Sequence, residues 1–167
     1  MMIQKLFFRL TRPVVFASIA SNILITIPRV ITGLLLTLDF GSSKFGLPWS
    51  NSEEPLGFLE VASWFPRDVA EFGIPFSIAP YFFAWMGAAS EAIGGLLLAI
   101  GLQTRLAAFF IACTMLVAIF FQKWGQGTWG MLPAMGFLWV ALYAMVHGSG
   151  KWGIDYFITK GRSVKNA

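Results

Sequence analysis

A long apolar stretch occupies residues 76–102, which read FSIAPYFFAWMGAASEAIGGLLLAIGL. Its polar side chains are those of Ser77, Ser90 and Glu91. The stretch exceeds the ~20 residues that an α-helix needs to cross the hydrocarbon core of a bilayer. Its apolar residues are continuous and do not alternate with polar ones, which predicts a membrane-spanning helix and not a strand of a β-barrel.

Three further apolar stretches lie outward from this one, at about residues 14–38, 106–121 and 129–146. Of the 167 residues, 57% are apolar and 12% are charged, whereas a soluble domain carries about 25% charged residues. One domain of this size cannot bury so much apolar surface, so lipid must solvate part of it. The sequence therefore predicts a single domain over residues 1–167, folded as an all-α integral membrane four-helix bundle.

The connection between the first two predicted spans, residues 39–75, is too long for a turn. It mixes large apolar residues with acids and prolines. We expect one or two short amphipathic helices there, which lie on the outer interface of the membrane and cap the bundle. The later connections are short, so the helices that they join are expected to be antiparallel neighbours.

The basic residues are distributed unevenly over the two sides of the predicted bundle. If the N-terminus is cytoplasmic, eight of them lie on the cytoplasmic side and three on the outer side. The positive-inside rule favours this orientation, in which both termini are cytoplasmic.

The composition also excludes several classes of function. A net charge of +4 without a basic stripe argues against a nucleic-acid partner. With one cysteine, Cys113, and one histidine, His147, the chain cannot supply the ligands of a zinc or iron–sulfur site or of a bis-histidine haem. It has no dinucleotide-binding fingerprint such as Gly-x-Gly-x-x-Gly after a strand. We therefore expect no metal site and no intrinsic cofactor.

Two ionisable residues lie inside the predicted spans, Arg29 in the first and Glu91 in the second. A charge at mid-span costs at least ~2.5–3.5 kcal/mol on insertion scales, so each requires a reason. Counted from the outer ends of their spans, the two lie at similar depths, and we expect them to face each other inside the bundle. A buried ion pair that fixes the helix register and a polar ligand pocket both stay open as interpretations. Lys44, just outside the first span, could reach over the same pocket.

Four parts of the chain carry distinctive motifs: Arg29, GSSKFG at 41–46, EAIGGLLLAIGLQTR at 91–105 and GSGKWGID at 148–155. Together they resemble the DoxX family of small bacterial membrane proteins, over about Ile25 to Phe157. This resemblance implies a four-helix membrane bundle related to subunits of thiosulfate:quinone oxidoreductase and of a terminal quinol oxidase. The chain departs from the family at Asp39 and Phe40, where many relatives carry a His-Gly pair.

The resemblance also implies roles for five polar residues. Arg29, Lys44 and Glu91 would share one outward-facing, substrate-binding site. In the function that we predict below, Arg29 would contact the polar head of the bound molecule and Glu91 would transfer the proton that accompanies its reduction. Arg105 and Asp155, on the cytoplasmic side, could pair with each other and so tie the C-terminal tail to the turn between the second and third spans.

The sequence thus predicts a membrane subunit of a quinone-linked redox system, which binds a quinone or a similar apolar molecule between its helices. Its electrons would come from a partner or from the bound substrate, so whether the chain is itself an enzyme stays open. The alternative is a non-catalytic membrane anchor or assembly subunit, with residues 39–75 as its docking surface. Expected partners are membrane lipid and another protein subunit, and a homo-oligomer is left open. The expected location is the bacterial cytoplasmic membrane.

Overall fold

The computed structural model describes residues 11–165, and four helices within them are long and apolar enough to cross a membrane. These helices are Ile19–Phe40, Pro80–Ile100, Thr104–Gln122 and Trp124–His147. The described residues form no β-strand. The expected all-α, four-helix membrane bundle is therefore confirmed.

The regular α-helices are α1 (Ile19–Leu35), α2 (Phe65–Ala70), α3 (Pro80–Ile100), α4 (Thr104–Val117), α5 (Gly127–His147) and α6 (Ile154–Lys165). A π-helical turn extends α1 over Leu36–Phe40, and a second extends α4 over Ala118–Gln122. Short 3-10 turns precede α3 at Phe76–Ile78 and α5 at Trp124–Gln126.

The first membrane helix begins later than the apolar stretch suggests, at Ile19 and not near residue 14. Residues 12–18 are irregular, and the Asn22 side chain holds them by accepting from Phe16 N at 3.2 Å and donating to Phe16 O at 2.7 Å. In addition, Val14 N donates to His147 O at 2.8 Å. This segment is thus bonded to the end of α5 and does not extend α1.

Small residues dominate the packing between α3, α4 and α5. Leu98, Ile111 and Phe137 are large buried side chains of this core. The buried alanines packed with them are Ala108, Ala112, Ala134, Ala141 and Ala144. Because an apolar side chain gains little by leaving lipid, close approach of helix backbones is what stabilises such a bundle.

Helices α1 and α3 touch along a seam of small residues that fixes their relative position. A Cβ built on Gly33 would lie 2.5 Å from Ala99 N, and one built on Gly41 would lie 2.6 Å from the Ala92 Cα. Between them, Thr37 Oγ1 donates to Ala92 O at 2.6 Å. The end of α1 at Gly41 is therefore level with the middle of α3.

Replacing Gly95 by alanine is expected to destabilise the protein by roughly 1–3 kcal/mol, the usual cost of overpacking. The added Cβ would stand 2.9 Å from Gly33 O and 2.9 Å from Thr37 N. Gly136→Ala in α5 is the matched control, because a Cβ there meets nothing within 4 Å. Unfolding curves in one detergent compare the two variants, and equal effects would contradict the tight contact between α1 and α3.

The segment after α1 folds back over the N-terminal half of α3. Its short helix is α2, where one or two amphipathic helices were expected; the rest is irregular and held by backbone bonds such as Gly46 N to Glu60 O (2.8 Å). The buried residues Phe45, Val61, Phe65 and Val69 of this segment pack against Ala84, Ala88 and Ala92 of α3. Its apolar side therefore faces the bundle. We call this end of the molecule the loop end.

At the opposite end, a further helix follows the last membrane span. Helix α6 was not expected from the sequence, and its start is bonded to the turn between α3 and α4, since Asp155 N donates to Gly101 O at 2.9 Å. Gly101 has a φ of +72° and leaves no room for a Cβ, which would lie 2.6 Å from the Gly153 Cα. This turn and the start of α6 define the tail end of the bundle.

Candidate functional site

Lys44 and Glu91 form an ion pair at the loop end. Lys44 Nζ lies 2.6 Å from Glu91 Oε2. Glu91 projects from the middle of α3, next to Ala92. Gly41 contacts Ala92, and Lys44 follows Gly41 by three residues, so Lys44 lies close to Glu91. The backbone of Lys44 is held on both sides, by Gly41 O at 3.2 Å and by Ala62 N at 3.0 Å. The loop therefore delivers the ammonium group to α3 in a defined position.

This ion pair is almost fully buried but incompletely hydrogen-bonded. The side chains of Lys44 and Glu91 are 13% and 7% exposed. Lys44 Nζ also lies 4.7 Å from the centroid of the Phe65 ring, within the range of a cation–π contact. Glu91 Oε2, the oxygen that faces the ammonium group, receives no further hydrogen bond from the described residues. Ionisable groups inside a membrane-spanning helix are costly, so this carboxylate is a candidate for a functional role.

The ion pair lies in the wall of a cavity of about 250 Å³ between α3, α4 and the segment that carries α2. We call it the loop-end cavity. Its aromatic lining is Phe65, Phe72, Phe76, Phe83 and Phe110. Phe76 packs edge-on against Phe83, with ring centroids 5.1 Å apart. Mostly apolar walls with a few convergent polar groups are typical of small-molecule sites.

One of the two π-helical turns lies beside this cavity, and the other precedes the Lys44 loop. The turn Leu36–Phe40 leads directly into the loop that carries Lys44, and the turn Ala118–Gln122 contributes two of its residues to the cavity wall. Between α3 and α4, Ser90 Oγ and Thr114 Oγ1 lie 2.6 Å apart and connect the helices beside the cavity. Interruptions of this type in a helix are frequent at functional sites.

The expected pairing of Arg29 with Glu91 is wrong. The acceptors of Arg29 are carbonyl groups seven and eight residues beyond Glu91, which is about 10 Å further along α3. Arg29 and Glu91 were expected at similar depths on the assumption that the first two spans end at the same level. In the structure, the N-terminal part of α3 extends well beyond the end of α1. Lys44, and not Arg29, is the cation that reaches Glu91. Arg29 instead lines a separate cavity of about 230 Å³ with Tyr143 and His147.

Arg29 caps the C-terminal end of α3. Its Nη1 donates to Leu98 O and, at 2.9 Å, to Ala99 O, and the residue is 2% exposed. The last carbonyl groups of a helix have no partner within the helix and carry the negative end of its dipole, so a cation is favourable there. The guanidinium of Arg29 is thus engaged by α3 at the tail end.

Asp155 caps the N-terminal end of α4, as Arg29 caps the C-terminal end of α3. Its carboxylate accepts from Gln103 N at 2.8 Å, Thr104 N at 3.0 Å and Thr104 Oγ1 at 2.9 Å. An anion is favourable at this N-terminal end, and Asp155 also attracts the Arg29 guanidinium. The turn between α3 and α4 is therefore held between a cation from α1 and an anion from α6. We call these two residues the turn clamp.

The expected Arg105–Asp155 pair is replaced by this arrangement. Arg105 Nη2 donates to Val146 O at 3.1 Å, and the hydrogen bonds of the Asp155 carboxylate go to Gln103 and Thr104. The tail is thus tied to the turn through backbone amides and a hydroxyl group, and not through an Arg105–Asp155 salt bridge. Amide donors satisfy the carboxylate without any requirement for a second buried charge.

Comparison with protein families gives a match to the DoxX model over residues 5–124, which is most of the chain. The chain belongs to the DoxX family. As a DoxX protein with four membrane-length helices, it is a multi-pass membrane protein. The match includes both Lys44 and Glu91 and ends before α5. Comparisons with curated proteins and with solved structures gave no match.

Part of the loop-end cavity of this DoxX protein was missed by the sequence reasoning. Phe65 and Phe72 come from the loop, and Cys113 of α4, which the sequence did not mark as a site residue, also lines the cavity. The four-residue spacing of Gly33, Thr37 and Gly41 could have indicated the α1 face that meets α3, and hence that the loop after Gly41 meets Glu91.

Proposed function

We propose that this protein is a membrane subunit of a quinone-linked redox system and that a quinone, or a similar flat apolar molecule, binds in the loop-end cavity. The observation that supports it most directly is the Lys44–Glu91 pair in the wall of an aromatic chamber. In this proposal Lys44 takes the place that Arg29 was expected to hold beside the polar head of the ligand.

The cavity offers suitable contacts for both the ring and the oxygen atoms of a quinone. The phenylalanine rings offer edges and faces against which a flat ring packs well. A quinone oxygen accepts hydrogen bonds, and the Lys44 ammonium group has three N–H donors, of which the paired carboxylate cannot use all. A charge-assisted hydrogen bond of this type is stronger than a neutral one. Lys44 would therefore orient the ring, with one oxygen toward α3.

Glu91 would manage the proton that accompanies the redox step. Reduction of a quinone to a quinol takes up two electrons and two protons, so a group that can relay protons is needed within reach of the ring oxygen. A carboxylate next to the head of the ligand can accept a proton and release it again. The electrons would come from a partner subunit that carries a redox cofactor or from a second, reduced substrate.

The proposed location is the bacterial cytoplasmic membrane, with the loop end outside and both termini in the cytoplasm. The charges of the two ends support it. Lys151 and Lys160 follow the last span and are exposed at the tail end, whereas the acids Glu53, Glu54, Glu60, Asp68 and Glu71 belong to the loop-end segment. Basic residues are retained on the cytoplasmic side.

The thiol of Cys113 provides a direct test of ligand binding, since it is the chain's one cysteine and lines the loop-end cavity. Tetramethylbenzoquinone, which has no free ring position for addition of a thiol, is expected to slow maleimide labelling of Cys113 severalfold at saturation, because a ligand in the cavity covers the side of this otherwise exposed residue that faces the cavity. Tetramethylbenzene is the matched control without carbonyl groups. Equal labelling rates with and without the quinone would contradict the proposal.

The alternative proposal, a non-catalytic anchor or assembly subunit, is favoured by α5. Within the span Trp124–His147, which includes α5, only 11% of the most apolar 18-residue stretch is buried inside the chain. Trp129 and Trp139 are 85% and 62% exposed. Residues 39–75 are less suitable as the docking surface because their apolar side packs on α3. Reduction of a quinone by the purified protein in the presence of an added electron donor would favour the redox role, and its absence together with unprotected Cys113 would favour assembly.

A further inference from the structure

An apolar groove lies next to the loop-end cavity, along the seam between α3 and α4. We call it the α3–α4 groove; its volume is about 280 Å³. Met86 of α3 and Phe110 of α4 line both the cavity and the groove. From Trp85 to Leu97 the groove follows three turns of α3, about 18 Å at ~1.5 Å per residue. The two spaces therefore meet at one pair of side chains.

The loop-end cavity is small for a complete ligand. Sites for drug-sized molecules occupy about 300–1,000 Å³, and the cavity alone offers about 250 Å³. The cavity alone falls below that range, and the cavity and the groove together fall within it. A ligand with its head beside Lys44 would have to place the rest of its body past Met86 and Phe110.

The lining of the groove suits a hydrocarbon chain. Gly94 and Ala107 form part of it and leave space between the helices. Its serine is already engaged, because Ser90 Oγ lies 2.8 Å from Gly87 O and 2.6 Å from Thr114 Oγ1. The side chains along its rim are half-exposed on the membrane side, among them Leu106 at 45%. A chain in the groove would contact apolar atoms on one side and lipid on the other.

We infer that the ligand of the loop-end cavity carries a long hydrocarbon tail and that this tail lies in the α3–α4 groove. The inference rests on the proposed function, since it extends the same ligand beyond its head. It assigns specificity for long-tailed quinones to residues outside the ion pair, such as Leu97 and Leu106. An ordinary acyl chain of the bilayer is the competing occupant of the groove.

The test compares two quinones with the same fully substituted ring, one with a methyl group and one with a long tail, by their protection of Cys113. Leu97→Trp on α3 and Leu106→Trp on α4 would fill the groove from its two sides. Leu116→Trp is the matched control, because Leu116 is an exposed α4 residue that lines neither space. The methyl quinone reports on the cavity alone, and the control variant corrects for partition into detergent.

The parent protein and the Leu116 variant should bind the long-tailed quinone at least tenfold more tightly than the methyl quinone. Both groove variants should lose this preference and keep the affinity for the methyl quinone. If the parent binds both quinones equally, or if the groove variants keep the preference, the tail inference is overturned and the proposed function stands. If neither quinone protects Cys113, the proposed function itself fails.

Discussion

Glu91→Gln is expected to lower quinone turnover by roughly 100-fold, the lower end of the range for loss of a general acid or base. The amide has nearly the same shape as the carboxylate but cannot relay a proton. Ligand affinity, measured by protection of Cys113, should change little, because Lys44 Nζ loses its 2.6 Å partner and still offers its N–H donors. The effect should therefore lie in turnover and not in binding. Glu71→Gln, at an exposed loop residue, is the control.

Exchanging the two charges distinguishes a functional role of the Lys44–Glu91 pair from a purely structural one. Lys44→Glu combined with Glu91→Lys keeps opposite charges in contact, so the double variant should regain part of the stability that either single change loses. It should not regain turnover, because the donor and the proton relay have exchanged places beside the ligand. Full turnover in the swapped protein would show that the pair only fixes the register of the loop on α3.

Arg29→Met is expected to have the opposite profile, with a loss of stability of roughly 2–4 kcal/mol and little effect on binding. The substitution removes two charge-assisted hydrogen bonds to the carbonyl groups of Leu98 and Ala99 and leaves these groups buried without a partner. It also removes a cation from the end of a helix dipole. Thermal unfolding and Cys113 protection, measured on the same folded sample, give the two readouts.

The controls for this prediction are a conservative and a remote change. Arg29→Lys keeps the charge at the end of α3 and should recover a large part of the stability. Arg67→Met removes an exposed arginine of the loop segment and should change stability by less than about 0.5 kcal/mol. If Arg29→Met abolished ligand protection while the protein stayed fully stable, Arg29 would belong to the binding site and its assignment to the turn clamp would be wrong.

The number and positions of the membrane helices could be read from the sequence because hydropathy alone sets them. The relative heights of the helices could not, because they depend on which small residues meet. The close contacts of Gly33 and Gly41 with α3 place the end of α1 level with the middle of α3. This position brings Lys44, and not Arg29, to Glu91. Apolar patterns carry no information about such a shift, so counting from span ends gave the wrong pair.

The candidate site could be predicted only in part for a similar reason. Glu91 and Lys44 were identified because charged residues in or near apolar spans require an explanation. The aromatic walls were not identified, since Phe65 and Phe72 come from a loop whose path depends on tertiary packing. The role of Asp155 was half foreseen, because its link to the turn was expected but its amide partners could not be inferred from charge.

The seam of small residues also sets a limit on how this protein can vary. A slide of α1 by one helical turn, about 5.4 Å, would carry the ammonium group out of contact with its carboxylate. Insertions or deletions between Gly33 and Lys44 would therefore disrupt the Lys44–Glu91 pair even though they lie outside the loop-end cavity. Among natural variants of this chain, the length of that stretch should accordingly be invariant, while the composition of the lipid-facing surface of α1 drifts freely.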